Sequence, residues 1–453
     1  MQQQRRLTKG LSAITLAAAL IAAPLLAAPA QAAPRAIVVW VSAEYQEAAQ
    51  ALFAKGYKKR AIDVQSHDMS TITADLQNAD PANAPDIVLI DGGQVGELAA
   101  NALIAPVKIA PETTRALSNI AISTFRVADA LFGMPMQRQN LALVTNADLI
   151  PKAPKTFEKL STMALKTVAD GKADIAFAVP QGIEGDAYST YPLFAGLGGF
   201  AFGTTDYGSY NPKKIGINNK KFVKNQGQIN RWNKSGLINS SVTAEEARIA
   251  FTSGRTPFWL AGPEEIATLK TLNFRYRITQ VPAIVKGINA APLMKSIGFA
   301  VTSFAKVHKV LPASRDIVTN KSTTTKAQKT FYEKSPYIGL PANSRAAAAT
   351  PDRVLLAFGS AALGASAYPN IPEWGQVSLA LSGAWRDSTR GGDAIPSRKS
   401  FAAAKAQAVA ALTPTPVDTP TPVEPPTPVE TPTPVETPTP VETPTPVETP
   451  VIP

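Results

Sequence analysis

The sequence predicts an α/β protein of two lobes, followed by a proline-rich tail that cannot fold. Three observations carry this. About 380 residues lie between a leader and the tail, more than one hydrophobic core usually holds, so the chain should divide. Short apolar runs of strand length alternate with helical patterns, which implies parallel strand pairing. Near the end, the unit Thr-Pro-Thr-Pro-Val-Glu repeats every six residues; proline removes amide donors and fixes φ, so neither helix nor sheet can form there.

The elements follow in order. Residues 36–41 (AIVVWV) form a continuous apolar strand. Glu44 and Tyr45 come next, then a helical pattern through Phe53. Residues 62–65 alternate as a short strand. Residues 86–91 (DIVLID) are a buried-type strand that stops at Gly92 and Gly93, before a short helix carrying Leu98. Glu44, Tyr45 and Asp91 thus lie just past strand carboxyl ends, where open sheets of this kind bind ligands. Residues 132–160 (FGMPMQRQNLALVTNADLIPKAPKTFEKL) hold a Gly-Met-Pro turn, an apolar run over 141–144 and a turn at Pro151 and Pro154. A helix then starts, with Thr156 capping free amides and Glu158 in the first turn.

Further on, 173–179 is strand-like, 186–191 is a polar and aromatic loop, and 193–202 is a packed helix and turn. Residues 244–251 are a helix ending at Ser253-Gly254. Residues 256–260 and 279–282 are strands, 296–301 is a strand returning to the first lobe, and about 352–411 are helices. Lobe 1 is therefore 36–140 and 296–345, and lobe 2 is 141–295 and 346–411. The crossings are expected near 138–141, 293–298 and 340–350.

Residues 1–32 read as a secretory signal: Arg5, Arg6 and Lys9, an apolar run over 11–28, then Ala30-Gln31-Ala32 before a mature start at Ala33. The chain has no cysteine, which excludes disulfides, thiolate metal sites, thiol nucleophiles and a lipid-carrying Cys. His67 and His308 are too few and too far apart for a His-rich metal site and read as surface residues. No metal and no cofactor is expected. Three basic residues fall in the leader and six acids in the tail, so the body carries a net +14. Secretion argues against nucleic acid as a partner; an anionic wall or membrane surface fits better, and so does plain solubilisation. The tail (412–453) reads as a disordered spacer reaching roughly 125 Å at about 3.1 Å per residue. It is a candidate tether to the cell wall, or an acidic arm that folds back on the body. The expected location is secreted, periplasmic or envelope-associated.

Catalysis has little support. Glu245-Glu246 and Glu264-Glu265 are adjacent pairs that point apart, whereas glycoside hydrolysis needs two facing carboxylates. Gly92-Gly93 and Gly198-Gly199 lack the Lys-Ser/Thr of a phosphate loop.

Four segments occur together in a telling order: the first strand with Trp40 and Glu44; PDIVLIDGGQVGELAANALIAPV at 85–107; the 132–160 stretch with TYPLFAGLGGFAFG at 190–203; and AYPNIPEWGQVSLALSGAW at 367–385. AFTSGRTPFWLAGPEEI at 250–266 fits between the last two. This order resembles the extracellular solute-binding proteins of ABC transporters, family 1, the maltose- and maltodextrin-binding type. The resemblance implies a type II periplasmic-binding fold, a monomer, a ligand cleft between lobes, no catalysis, and delivery of a carbohydrate to a membrane permease. Sugar hydroxyls need carboxylates and amides, and the pyranose C–H face needs a flat ring. The matching positions are Glu44, Tyr45, Asp91, Gln139 and Asn140 on the crossing strand, Asp186, Tyr188, Glu264 and Trp374. Glu44 and Asp91 read equally as helix caps or solvated loop acids. Glu264 stands after Gly-Pro where maltodextrin binders usually carry an aromatic, and Ile90, Val377 and Ser378 also replace aromatics, so the platform is thinned. A wall-associated adhesin and a receptor for a non-sugar solute remain the alternatives.

Overall fold

A computed structural model describes residues 34–413 except Tyr207, Tyr337 and Ile338; the expected signal over 1–32 and nearly all of the expected tail over 412–453 lie outside the described residues. The chain opens with strand β1 (Ile37–Val41), helix α1 (Gln46–Phe53), β2 (Ile62–Ser66), β3 (Ile87–Asp91) and α2 (Val95–Ala100). β4 (Gly133–Asn140) is followed, after Leu141, by β5 (Ala142–Asn146). Then come α3 (Phe157–Ala169), α4 (Ala187–Gly196), β6 (Phe258–Ala261), β7 (Tyr276–Thr279) and the long β8 (Leu293–Thr302). The last part holds β9 (Leu340–Pro341), α5 (Arg353–Ser360), β10 (Ser366–Ala367), α6 (Trp374–Ser388) and α7 (Ser397–Leu412).

Two sheets organise these elements. The larger runs β9-β4-β8-β3-β1-β2, with β10 added against the start of β8. β1 pairs parallel with both β2 and β3, while β8 runs antiparallel to β3 and β4. The smaller sheet, β6-β5-β7, is antiparallel throughout. Its side chains alternate between two cores, as a strand period of two requires. Leu141, Leu143, Phe258 and Leu260 enter one cluster; Ala142, Val144, Trp259 and Ala261 enter another on the opposite face. A separate cluster covers the larger sheet, built from β1, β3 and α1 with Met134, Met136, Phe299 and Val301. Each sheet thus has its own core, and the chain forms two lobes.

The lobes are joined by the strands themselves. β4 leaves the larger sheet at Asn140, and β5 enters the smaller one two residues later. In β8, Leu293 packs in the second lobe and its neighbour Met294 in the first. Between 340 and 374 the chain touches all three clusters: Phe358 the third, Ala365 the first, Ile371 and Trp374 the second.

Some local expectations shift. Residues 173–179 form no strand; Ala178 alone makes a parallel bridge to Trp259. Pro180 has no amide to extend it, and Asp174 turns away to pair with Arg255. β7 starts and ends three residues before the expected 279–282, because Pro282 cannot join a ladder. The C-terminal helical stretch is three helices, broken near Pro369, Pro372 and Pro396. His308 is not a surface residue. Its ring Nδ1 lies 2.7 Å from the carboxylate of fully buried Asp86.

Candidate functional site

The site grows out of the crossing strands. Lys295 on β8 stands opposite Gln139 on β4, and two residues further along Ile297 stands opposite Asp91 at the end of β3. Gln139 and Lys295 line a cavity of about 380 Å³ together with Asp186, Tyr188, Trp259 and Glu264. A larger hollow of about 740 Å³ lies beside Lys108 and Arg315, but no residue of β4 or β8 lines it.

Each functional side chain has a local reason for its position. Asp91 caps the turn that follows β3: its carboxylate accepts from the Gly93 amide at 2.7 Å, and Gln94 Oε1 accepts in return from the Asp91 amide at 3.1 Å. Asp186 caps α4, accepting from the Tyr188 amide at 2.8 Å and the Ser189 hydroxyl at 2.6 Å. That cap fixes Tyr188 in the first turn of α4. Tyr188 meets Tyr368 edge to face, with centroids 6.0 Å apart. Lys295 Nζ sits 4.2 Å from the Tyr188 ring centre and 5.2 Å from that of Tyr368.

The charges of these groups act on one another. Burial pushes the Asp91 carboxyl up, while the Gly93 amide and the Lys295 charge pull it back. Burial likewise raises Glu264, against its own amide and Lys295, with Glu265 adding to the rise. The Tyr188 hydroxyl is held well above its ordinary range by burial, then by Glu264, Asp186, Tyr368 and Asp91. Tyr45 is buried and stacks on Phe331 at 5.8 Å. Its hydroxyl is pushed up by burial, then by Glu44 and Asp91.

A second, small pocket of about 20 Å³ lies on the other side of Gln139, lined by Tyr45, Arg138, Ser296 and Gly339. Gln139 Oε1, Arg138 Nε and Ser296 Oγ are all buried there without a hydrogen-bond partner among the described residues. Unpaired buried polar atoms are rare in folded proteins, and a pocket of this size has room for a single water that would pair with them.

The sequence candidates divide accordingly. Asp91, Gln139, Asp186, Tyr188 and Glu264 come together around Lys295, with Tyr45 one pocket away. Glu44 is exposed on a short helical turn and reaches the site only through its charge on Tyr45. Asn140 faces inward, its amide bonded to the carbonyls of Leu141 at 3.1 Å and Phe358 at 2.9 Å. Trp374 is buried in the second-lobe core, edge to face under Tyr368 at 5.7 Å. Lys295, Tyr368 and Arg138 are absent from the sequence candidates. Lys295 had a signal: a lone charge inside the apolar run LMKSIGFAV, where a lysine is seldom buried without purpose.

Comparison with known proteins bears on the family and the fold. The family described as bacterial extracellular solute-binding protein matches residues 48–355. The galactooligosaccharide-binding protein of Bacillus subtilis (strain 168) is 27% identical over 309 residues, 66% of this chain and 71% of that protein. The maltodextrin-binding protein MdxE of the same organism is 26% identical over 363 residues, covering 76% and 82%. Among solved structures, a cyclo/maltodextrin-binding protein complexed with maltotetraose is similar in fold, with a TM-score of 0.72 at 20% identity, over 83% of this chain and 97% of that one. The maltose-binding protein MalE of Listeria monocytogenes, solved with maltose, gives 0.71 at 24% identity over 84% and 100%. The fold is therefore the two-lobed one of these receptors. With more than half its length matched, the chain belongs to the bacterial extracellular solute-binding protein family.

Proposed function

We propose that this protein captures an oligosaccharide in the cleft between its lobes and delivers it to an ABC importer. The observation that carries this is a cavity at the crossing strands, walled by Tyr188 and lined by Gln139, Lys295 and the carboxylates of Asp186 and Glu264. Sugar hydroxyls would pair with Gln139, Asp91 and Glu264, and the apolar face of a ring would pack on Tyr188. Two curated relatives, whose names record galactooligosaccharide and maltodextrin binding, support the same solute class. A solute touching both walls stabilises the closed arrangement over the open one, because only the closed form makes both sets of contacts. The importer then reads the closed form. The solute leaves unchanged, and no reaction is assigned to the site. No described helix is long and apolar enough to cross a membrane. The tail is assigned the role of a wall spacer, tested by whether its removal shifts the protein from cells to medium.

The deciding experiment is titration calorimetry of the mature protein against maltotriose, maltotetraose and galacto-oligosaccharides, with amino acids and polyamines as controls. Saturable binding to an oligosaccharide alone is expected. Saturable binding only to an amino acid or polyamine would sink the reading.

A further inference from the structure

Lys295 has an unusual setting for a lysine. Its ammonium lies over two tyrosine rings that belong to different elements, Tyr188 at the start of α4 and Tyr368 just after β10. Its charge acts on Asp91, at the end of a first-lobe strand, and on Glu264, in the turn after β6. Yet it forms no ion pair within 4.0 Å and no hydrogen bond among the described residues. The group is held by a surround and not by a partner. Aromatic faces with carboxylates behind them are the chemistry that recognises an ammonium ion.

We propose that Tyr188, Tyr368, Asp91 and Glu264 form an ammonium box that the protein fills with its own Lys295, so that Lys295 sets the charge selectivity of the cleft: neutral polyhydroxylated solutes enter, and cationic ones are excluded. This rests on the cleft being the solute site, as proposed above. The nearby cations cannot substitute for it. Arg248 is committed to Glu265, at 2.7 Å and 2.9 Å, and also to Glu245. Arg138 lines the small pocket on the far side of Gln139. Without the Lys295 ammonium, the carboxylates of the box would have no counter-charge facing them. An amine arriving at the native protein meets a like charge already seated. A neutral sugar does not, and it can pack beside the lysine stem on the part of Tyr188 left open. Removing the lysine should therefore do more than weaken sugar binding. It should create a site for small amines.

The test uses n-propylammonium chloride and spermidine as probes, against sodium chloride at matched ionic strength, with intrinsic fluorescence and melting temperature as readouts. Lys295→Ala should bind the amines saturably and at least about tenfold more tightly than the native protein. Lys295→Arg keeps the charge and should gain nothing. Lys295→Met keeps the packing of the stem, and it should show the same gain with methylammonium if the alanine variant does not fold. Equal amine responses in native protein, Lys295→Ala and Lys295→Met would overturn the proposal, as would an equal gain in Lys295→Arg. The amine titration needs no sugar, so the two readings fail separately. A native protein that binds no oligosaccharide, with a Lys295→Ala variant that gains amines, would sink the sugar reading and support the box.

Discussion

Asn370 is the clearest handle on how the Tyr-Pro-Asn-Ile-Pro turn is held. It is 1% exposed, and its side-chain amide donates to the carbonyls of Thr124 at 2.8 Å and Arg126 at 2.9 Å, both in the first lobe. The neighbouring backbone is pressed close. A Cβ on Gly96 would lie 1.9 Å from the Asn370 carbonyl oxygen, so only glycine fits there. Asn370→Ala leaves both acceptors without their donor. A buried group left unpaired costs about 1–3 kcal/mol. Asn370 Oδ1 has no partner either, so removing it returns part of the loss, and about 2–4 kcal/mol remains. Unfolding about 380 residues at about 2.1 cal/mol/K each gives an entropy near ~0.8 kcal/mol/K, so the melting temperature should fall by roughly 3–5 °C. Affinity should fall as well, because the turn carries Tyr368. Calorimetric melting of the unliganded protein and titration with the bound sugar measure both. A melting temperature within about 1 °C of native, with unchanged affinity, would refute the reasoning. The turn would then be held mainly by the Tyr368 amide on the Met294 carbonyl.

Other expectations separate site from scaffold. Tyr188→Ala and Tyr368→Ala should each weaken sugar binding by roughly 1–3 kcal/mol with little change in unliganded melting, while Trp374→Ala, a core truncation, should cost roughly 3–5 kcal/mol of stability; chemical denaturation and calorimetry distinguish the two. Arg248→Met strands the carboxylate of Glu265, which is 6% exposed, and should destabilise by up to about 3–5 kcal/mol, less because the arginine is partly solvated; Arg248→Met with Glu265→Gln should recover much of it. Asp91 and Glu264 are held above their ordinary range, so the folded form binds their protons more tightly than the unfolded one. Their contribution to unliganded stability should therefore fall as pH rises from the ordinary carboxylate range through the raised pKa. Sugar affinity runs the other way, weakening as pH drops through the raised pKa, since a protonated carboxyl accepts hydroxyls less well; titrations across acidic pH with Asp91→Asn and Glu264→Gln check it.

Much of this was legible in the chain. The β1 and β3 runs, and β8 beyond Ser296, are largely apolar because those stretches are buried on both faces, and such runs announce themselves. Thr156 reads as a cap and is one, accepting from the Lys159 amide at 3.2 Å. Asp91 lies where strand-end logic puts it, whereas Asp186, expected in a polar loop over 186–191, instead caps the helix Ala187–Gly196. The rest depends on contacts that sequence order hides. Trp374 and Tyr368 are six residues apart and both aromatic, so nothing local says which faces solvent. The α6 helix starts at Trp374 and turns it into the core, and that leaves Tyr368 for the cleft. Asn140 looked like a site residue because it follows Gln139 on the crossing strand, but strand alternation sends neighbours to opposite faces. That rule lets only one of the two face the cavity, and the Asn140 bond to the Phe358 carbonyl decides which.

The same alternation ties the cavity-facing side chains to the strands that join the lobes. On β4, Gln139 faces the cavity while Asn140 is tied to the Phe358 carbonyl at the end of α5. On β8, Lys295 faces the cavity while its neighbours Met294 and Ser296 turn away, Met294 into the first-lobe core. Each crossing strand therefore offers one face to the solute and anchors the other in a lobe. A change in backbone angle near Leu141 or Leu293 must move the cavity-facing residues as it moves the lobes. A solute that fixes Gln139 and Lys295 resists that change directly. The proposed closure then needs no relay between a binding site and a distant hinge, because the strands that would hold the solute are the strands that join the lobes.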